Sequence, residues 1–299
     1  MDGKAVVVTG SGRGLGAQYA QLAAKEGAKV VVNDIDPSAV DESVEKIRSD
    51  GGQATGSVAD ITDWAESERL IDTCVKEYGK IDGLVNNAGV QMIAGPLELD
   101  EPLLRKMIEV NVVGTIFCGV HAMRRMVEQG SGSIVNVSSG AHLGLKMVGP
   151  YGATKGAVAS LAYCWAADLE GTGVRVNAIS PLGATRMAEE FVEIMETPES
   201  ERENVLGTFP EPASNAPLIV YLLSDLASDV SGQLLRTLSG KISVVSRPAV
   251  ILPPIENPAG TVEGVAELVA KSLKAQFTPT GPVLLGGAVS DALASPEVK

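Results

Sequence analysis

The 299-residue sequence predicts an α/β fold in which a parallel sheet of about seven strands is wound on both faces by helices. Three observations carry that expectation. Short runs rich in Val and Ile alternate with longer runs of helical period from residue 5 to residue 238. The strand-like runs are apolar on both faces, as strands sandwiched between two helix layers must be. The first of them, residues 5–9, runs straight into a glycine-rich turn and then into a helical run, 17–25.

That turn reads Thr9-Gly10-Ser11-Gly12-Arg13-Gly14-Leu15-Gly16. Glycines let the backbone come close to a pyrophosphate, and a helix N-terminus adds free N–H groups and positive potential. Gly12, Gly14 and Ala17 fit G-x-G-x-x-A, while Gly10, Gly14 and Gly16 after Thr9 fit T-G-x-x-x-G-x-G. The second strand, 28–33, ends in Asp34. An acid about 20 residues beyond such a turn accepts from the ribose hydroxyls of an adenine dinucleotide. A carboxylate there repels a 2′-phosphate, so the expected cofactor is NAD, with NADP disfavoured. Arg13 pulls the other way, since a guanidinium pairs with phosphate. Asp34 is given the greater weight, because repulsion at the ribose is harder to escape than a flexible Arg is to redirect.

Residues 37–50 read as a charged surface helix ending at Gly51-Gly52, and 53–58 as a third strand followed by Asp60-Ile61. Residues 62–78 are helical, capped by Thr62 or Asp63 and stopped by Gly79. The fourth strand, 81–85, enters Asn86-Asn87-Ala88-Gly89, whose amides either brace the sheet or line a cofactor crevice. A long helical pattern, 101–128, carries Asn111 among valines, where a polar side chain needs a partner. The fifth strand, 132–137, leads to Ser138-Ser139 and a loop to Met147.

The next helix, 151–169, opens on Tyr151-Gly152-Ala153-Thr154-Lys155. Residues four apart share a helix face, and an ammonium beside a phenol is expected to lower the phenol's pKa. The sixth strand, 174–179, ends in Ser180-Pro181. Residues 184–208 lose clear periodicity and read either as a lid or as a plain surface helix and loop. A helix at 216–226 and a last strand at 233–238 close the domain, expected to span 1–240. Residues 241–299 follow as an extension expected to pack on the domain or on a neighbouring subunit. Pro253, Pro254 and Pro258 break it, and 262–277 is an amphipathic helical pattern with Val262, Val265, Leu268, Val269 and Leu273 on one face.

The formal net charge of −13 disfavours nucleic acid and anionic membrane as partners. Cys74, Cys118 and Cys164 are widely spaced and read as buried thiols in a reducing compartment. Two histidines, His121 and His142, leave little for a His-based triad, and no metal-ligand spacing is present. No apolar run reaches membrane-spanning length, so the expected location is the cytoplasm.

Residues 4–240 resemble the short-chain dehydrogenase/reductase family, whose fold is a Rossmann-type doubly wound sheet. Thr9-Gly10-x-x-x-Gly14-x-Gly16 is similar to its cofactor turn, and Asn86-Asn87-Ala88-Gly89 to its NNAG motif. Asn111, Ser138, Tyr151 and Lys155 match its catalytic tetrad. The resemblance implies that Tyr151 is the general acid/base and that Lys155 lowers its pKa and binds the nicotinamide ribose. It further implies that Ser138 orients the carbonyl oxygen and Asn111 anchors a water in a proton relay. The family separates its Ser and Tyr by thirteen positions, which selects Ser138; Ser139 aligns as the second member of a Ser-Ser pair.

By the same resemblance, Gly10, Gly12, Arg13, Gly14, Leu15, Gly16, Asp34, Asp60, Ile61, Asn87, Ala88 and Gly89 line the cofactor site. Pro181 and Thr185 complete it, although Pro181-Leu182-Gly183 replaces the usual Pro-Gly. The implied activity is NAD-linked interconversion of a secondary alcohol and a ketone by a homodimer or homotetramer. A weaker likeness to the dehydrogenase part of multifunctional 3-hydroxyacyl-CoA enzymes points to acyl thioester, lipid-like or steroid-like substrates. A non-catalytic NAD(H)-sensing or scaffold protein on the same fold is the alternative.

Overall fold

The architecture, taken from a computed structural model, is described for residues 1–194, 199–250, 254–255, 261–278 and 281. Seven parallel strands alternate with helices: β1 (Ala5–Val8), β2 (Lys29–Asp34), β3 (Gln53–Val58), β4 (Gly83–Asn86), β5 (Gly132–Val137), β6 (Val174–Ser180) and β7 (Leu234–Leu238). An eighth, β8 (Lys241–Val245), pairs antiparallel with β7. The sheet order among the described residues is β3-β2-β1-β4-β5-β6-β7-β8. The order reverses between β1 and β4, which opens a crevice at their carboxyl ends, the place where such sheets bind ligands.

Each face of the sheet is covered. Helices α1 (Gly14–Lys25), α2 (Pro37–Ser49) and α9 (Ala216–Leu223) pack on one side, with Tyr19, Val40 and Ile219 in the core. Helices α3 (Trp64–Tyr78), α5 (Thr115–Gln129) and α6 (Gly149–Asp168) pack on the other, through Leu70, Met126 and Ala162. The valines of β1 divide between the two cores, Val6 and Val8 on one side and Val7 on the other, as the period of two requires. Asp36 and Asp63 accept backbone N–H groups at the starts of α2 and α3, and α3 stops at Gly79 with φ of 80°. Asp100 does the same for α4 (Glu101–Ile108).

Three expectations need correction, and the sheet gains an edge strand. The helical pattern 101–128 is not one α-helix: Glu109–Gly114 forms a π-turn between α4 and α5, and Asn111 sits inside it. The sheet has eight described strands because the chain turns back at Ser239-Gly240, with φ of 48° and 75°. Two left-handed residues make the two-residue turn that suits a twisted hairpin, so the boundary expected at 240 lies within this turn. The pattern 262–277 becomes α10 (Val262–Leu268), a π-turn Val269–Leu273 and a 3-10 turn Lys274–Gln276. Its apolar face is not buried as a unit, since Val262 is 81% exposed while Leu268, Val269 and Leu273 are half-buried. Cys74 and Cys118 are buried as expected, but Cys164 is exposed on the outer side of α6.

The span 184–208 contains α7 (Arg186–Ile194) and α8 (Glu199–Gly207). Pro253 and Pro258 lie outside the described residues. Among the described residues no helix is long and apolar enough to cross a membrane.

The caps give a first test. Asp63→Ala removes the acceptor for the Glu66 N–H, so it should cost about 1 kcal/mol in chemical denaturation. Turnover at saturating substrate should be unchanged.

Candidate active site

The crevice between β1 and β4 is closed by hydrogen bonds between two loops far apart in sequence. Thr9 Oγ1 accepts from the backbone N–H groups of Asn87 and Ala88, each at 3.0 Å. The Asn87 side-chain amide donates to the carbonyls of Thr9 and Gly10, both at 2.9 Å. Asn86 donates instead to Asn136 Oδ1 at 3.0 Å and joins β4 to β5. The amides of the Asn-Asn pair are therefore braces. They press the glycine turn against residues 86–89 so tightly that a Cβ on Gly10 would lie 2.7 Å from Ala88 Cα. A Cβ on Gly16 would collide with the Gly10 carbonyl and lie 2.9 Å from Ser11 Cα. Gly10 and Gly14 have φ of 58° and 61°, which few other residues adopt.

Helix α1 begins at Gly14 without a side-chain cap and with no acid in its first turn. Its neighbours α2, α3 and α4 all carry aspartate caps. The first N–H groups of α1 are thus left for an anion supplied from outside, on a backbone that glycine keeps clear of side chains. This donor set fits a dinucleotide diphosphate. At the end of β2, Asp34 Oδ2 accepts from the Gly12 N–H at 3.2 Å, which holds the carboxylate over the turn. Arg13 is turned away and paired with Asp36 Oδ2.

The other residues expected around a cofactor fall into distinct roles. Asp60 Oδ1 accepts from Thr62 N and Oγ1, at 2.9 and 2.8 Å, and shapes the turn into α3. Ile61 is buried against Gly114, where an added Cβ would lie 2.6 Å from Ile61 Cδ1. Leu15 packs against one core and lies beside Gly183, just after Pro181. The Thr185 carbonyl accepts from Ala188 N and Glu189 N and starts α7. Gly89 lies where Asn111 and Lys155 converge: a Cβ there would be 3.2 Å from Asn111 Oδ1 and 3.3 Å from Lys155 Nζ.

Tyr151 and Lys155 share the inner face of α6, at 8% and 5% exposure. Lys155 Nζ donates to the Val137 carbonyl at the end of β5 at 2.8 Å. Burial pushes its pKa down to about 8. Tyr151 packs with Met92, Met107, Ala141 and Val148, with Met187 partly buried beside them. Its hydroxyl points at Met187 Sδ, 3.9 Å away. Burial raises the phenol to about 12, and a hydrogen-bonding contact with the Ser139 side chain pulls it slightly back. The expected lowering by Lys155 is not found in the protein itself. The ammonium is 5.8 Å from the ring centre and committed to Val137, so desolvation wins.

The two serines differ in what they touch. Ser138 Oγ donates to the Lys155 carbonyl at 2.8 Å and is locked against the backbone of α6. Ser139 is the serine whose side chain meets the Tyr151 phenol. Strand alternation decides this, because consecutive residues leave the end of β5 on opposite sides. His142 Nδ1 approaches the Ser139 carbonyl in the same turn, Gly140–Leu143. Asn111 is also committed: its amide donates to the Val90 carbonyl at 2.8 Å and to Thr154 Oγ1 at 3.0 Å, and its oxygen accepts from Val90 N at 2.8 Å. The side chain ties the 86–90 loop to α6. Gln91 carries no motif and escaped the sequence reading; its Nε2 holds the Met187 carbonyl at 2.7 Å.

Residues 4–195 match the short chain dehydrogenase family. The chain is 37% identical to a cis-4-hydroxycyclohexanecarboxylate dehydrogenase of Sinomonas cyclohexanicum, over 81% of this chain and 97% of that protein. It is 34% identical to 2-(S)-hydroxypropyl-CoM dehydrogenase 3 of Xanthobacter autotrophicus, over 78% and 94%. A crystal structure of a short chain dehydrogenase from Mycobacterium avium superposes with a TM-score of 0.77 at 32% identity, covering 94% of this chain and 98% of that one. The chain belongs to the short chain dehydrogenase family. It is an oxidoreductase that acts on CH–OH groups with a nicotinamide cofactor.

The buried lysine sets a pH test. Its folded pKa, about 8, lies below the ordinary 10.5. Between those values the unfolded chain binds more protons, so this group adds stability as pH rises. The wild-type protein should gain roughly 3 kcal/mol on Lys155→Met across that window, read by urea denaturation at both ends. The tyrosine's opposite effect is common to both proteins and cancels. A constant difference would show that the ammonium is not desolvated.

Proposed function

We propose that the protein interconverts a secondary alcohol and a ketone using NAD(H) in preference to NADP(H), on a substrate with an apolar body. The observation that carries the reaction is the buried Tyr151 phenol beside Ser139 at the end of β5, on the same face of α6 as Lys155, whose Nζ is held by the Val137 carbonyl. With a pKa near 12 the phenol is protonated at neutral pH and ready to protonate a carbonyl oxygen in the reducing direction. In oxidation the ionised phenolate is the form that takes the alcohol proton. Ser139 donates to the same oxygen, where negative charge develops. Lys155 supplies positive charge next to the site, held in place by Val137. When bound, the nicotinamide supplies or accepts the hydride. The N–H groups of α1 and the glycine turn would hold its diphosphate, and Asp34 would accept from the adenosine ribose hydroxyls.

Preference for NAD is supported by two acids at one spot. Asp34 stands at the turn, and Asp36 engages the guanidinium of Arg13. A 2′-phosphate would meet a carboxylate and find its natural partner occupied. The apolar body is supported by Met92, Val148, Ile93 and Met187 around the phenol. The name of the Sinomonas relative describes a hydroxyl on a saturated ring, a substrate of this kind.

Tyr151→Phe should lower kcat by about 10²–10⁴-fold while NADH affinity, followed by fluorescence, stays near wild type. Ser139→Ala should lower kcat by roughly 10–10³-fold, far more than Ser138→Ala; the reverse ranking would return the role to Ser138. Nicotinamide absorbance with acetoacetyl-CoA and with a cyclohexanone should fall with NADH and scarcely with NADPH. Asp34→Ser should narrow that preference by at least about tenfold, in line with several kcal/mol of like-charge repulsion. Equal use of both cofactors by the wild-type enzyme would overturn the assignment. Tight NADH binding with no turnover of any alcohol or ketone would favour a sensor.

A further inference from the structure

Most arginines of this acidic chain have evident partners. Arg69, Arg105 and Arg125 face carboxylates at 2.7–3.1 Å. Arg175 spans three backbone carbonyls. Arg247 lies on the Tyr163 ring and donates to the Gly232 carbonyl. Arg236 is different. It is half-buried, its Nε is buried with no acceptor among the described residues, and it enters no ion pair there. Desolvation holds its pKa down and no acid offsets it. A guanidinium removed from water without a counter-charge is costly, so such a group is retained where an anion completes it.

Its place in the fold is as telling as its lack of a partner. Arg236 stands in β7 directly opposite Ser180, the last residue of β6. Paired residues on adjacent strands present side chains to the same face. Ser180 Oγ is itself buried with no partner. The guanidinium lies directly against Gly140, where an added Cβ would collide with Arg236 Nη1. Gly140 immediately follows Ser139. Two orphaned donors thus meet at the carboxyl ends of β6 and β7, beside the turn that carries the serine at the phenol.

We propose that Arg236 and Ser180 form an oxyanion-binding site that receives the carboxylate or phosphate group of the substrate, next to the turn that carries Ser139. The planar fork of the guanidinium suits two oxygens of one anion, and the Ser180 hydroxyl donates to it from the adjacent strand. The inference rests on the oxidoreductase reading only for the identity of the ligand. The anion site stands on its own geometry.

Two measurements separate these. In the first, inorganic phosphate and succinate are titrated into the full chain and binding is followed by calorimetry. Arg236→Met, and to a lesser degree Ser180→Ala, should weaken binding at least tenfold, while Arg236→Lys keeps charge and folding but loses part of the affinity. In the second, a keto acid is compared with its methyl ester under NADH. Arg236→Met should raise KM for the acid at least tenfold and leave the ester within twofold. Unchanged phosphate binding in Arg236→Met would overturn the site. Equal KM changes for acid and ester would overturn the assignment of the anion to the substrate. If neither compound were reduced yet phosphate binding still depended on Arg236, the site would stand and the oxidoreductase reading would fall. Loss of the anion's effect with turnover intact would mean the anion came from free phosphate rather than the substrate, which overturns the substrate assignment.

Discussion

A buried ammonium bound to one strand-end carbonyl is the constraint around which the site is built. Lys155 Nζ donates to the Val137 carbonyl, and Ser138, the next residue, donates back to the Lys155 carbonyl. The two bonds clamp α6 to the end of β5 in both directions. The clamp determines where Tyr151 stands, because it lies one helical turn away on the same face. It also determines which serine is free. Once Ser138 is committed to the helix backbone, Ser139 is left to meet the phenol. Burial then sets the chemistry: the same desolvation that pulls Lys155 down raises Tyr151, so the pair rests as a neutral acid beside a weakly held cation.

The cofactor side is governed by close approach. Thr9 and Asn87 draw two loops together until no side chain fits between them, and glycines at 10 and 16 are the consequence. The uncapped start of α1 follows from the same design. A side chain placed there as a cap would satisfy the N–H groups internally and leave nothing for a diphosphate. Asn111 shows how far braces and function share residues. Its three side-chain bonds hold the 86–90 loop against α6, and the π-turn around it is the local departure that lets it reach.

The far edge of the sheet has a different character. The hairpin at Ser239-Gly240 adds β8 outside β7, and Ile242 and Val244 of that strand remain exposed. The extension is therefore joined to the catalytic sheet by hydrogen bonds and not only by a linker. The strand it pairs with, β7, carries Arg236, which stands between Ser180 of β6 and Ser243 of β8.

The fold class, the strand sequence, the glycine turn and the tyrosine–lysine pair were legible in the residues. Each depends on local chemistry: side-chain period, glycine at left-handed positions and the i, i+4 geometry of a helix. The strands came out within a residue or two of expectation for the same reason. What failed was decided across the sheet. Whether Ser138 or Ser139 meets Tyr151 depends on the direction in which each leaves β5 relative to a helix that arrives later in the chain. The direction of the Tyr151 shift depends on the balance of burial against a charge, and spacing contains neither term. Asp36 disarming Arg13, Gln91 holding Met187 and Arg236 standing opposite Ser180 join positions separated by 23, 96 and 56 residues. By itself the sequence determined which groups the protein carries to the ends of its strands. Only the tertiary structure decided which of them are satisfied there and which are left for a ligand, because satisfaction is a property of partners brought together by packing.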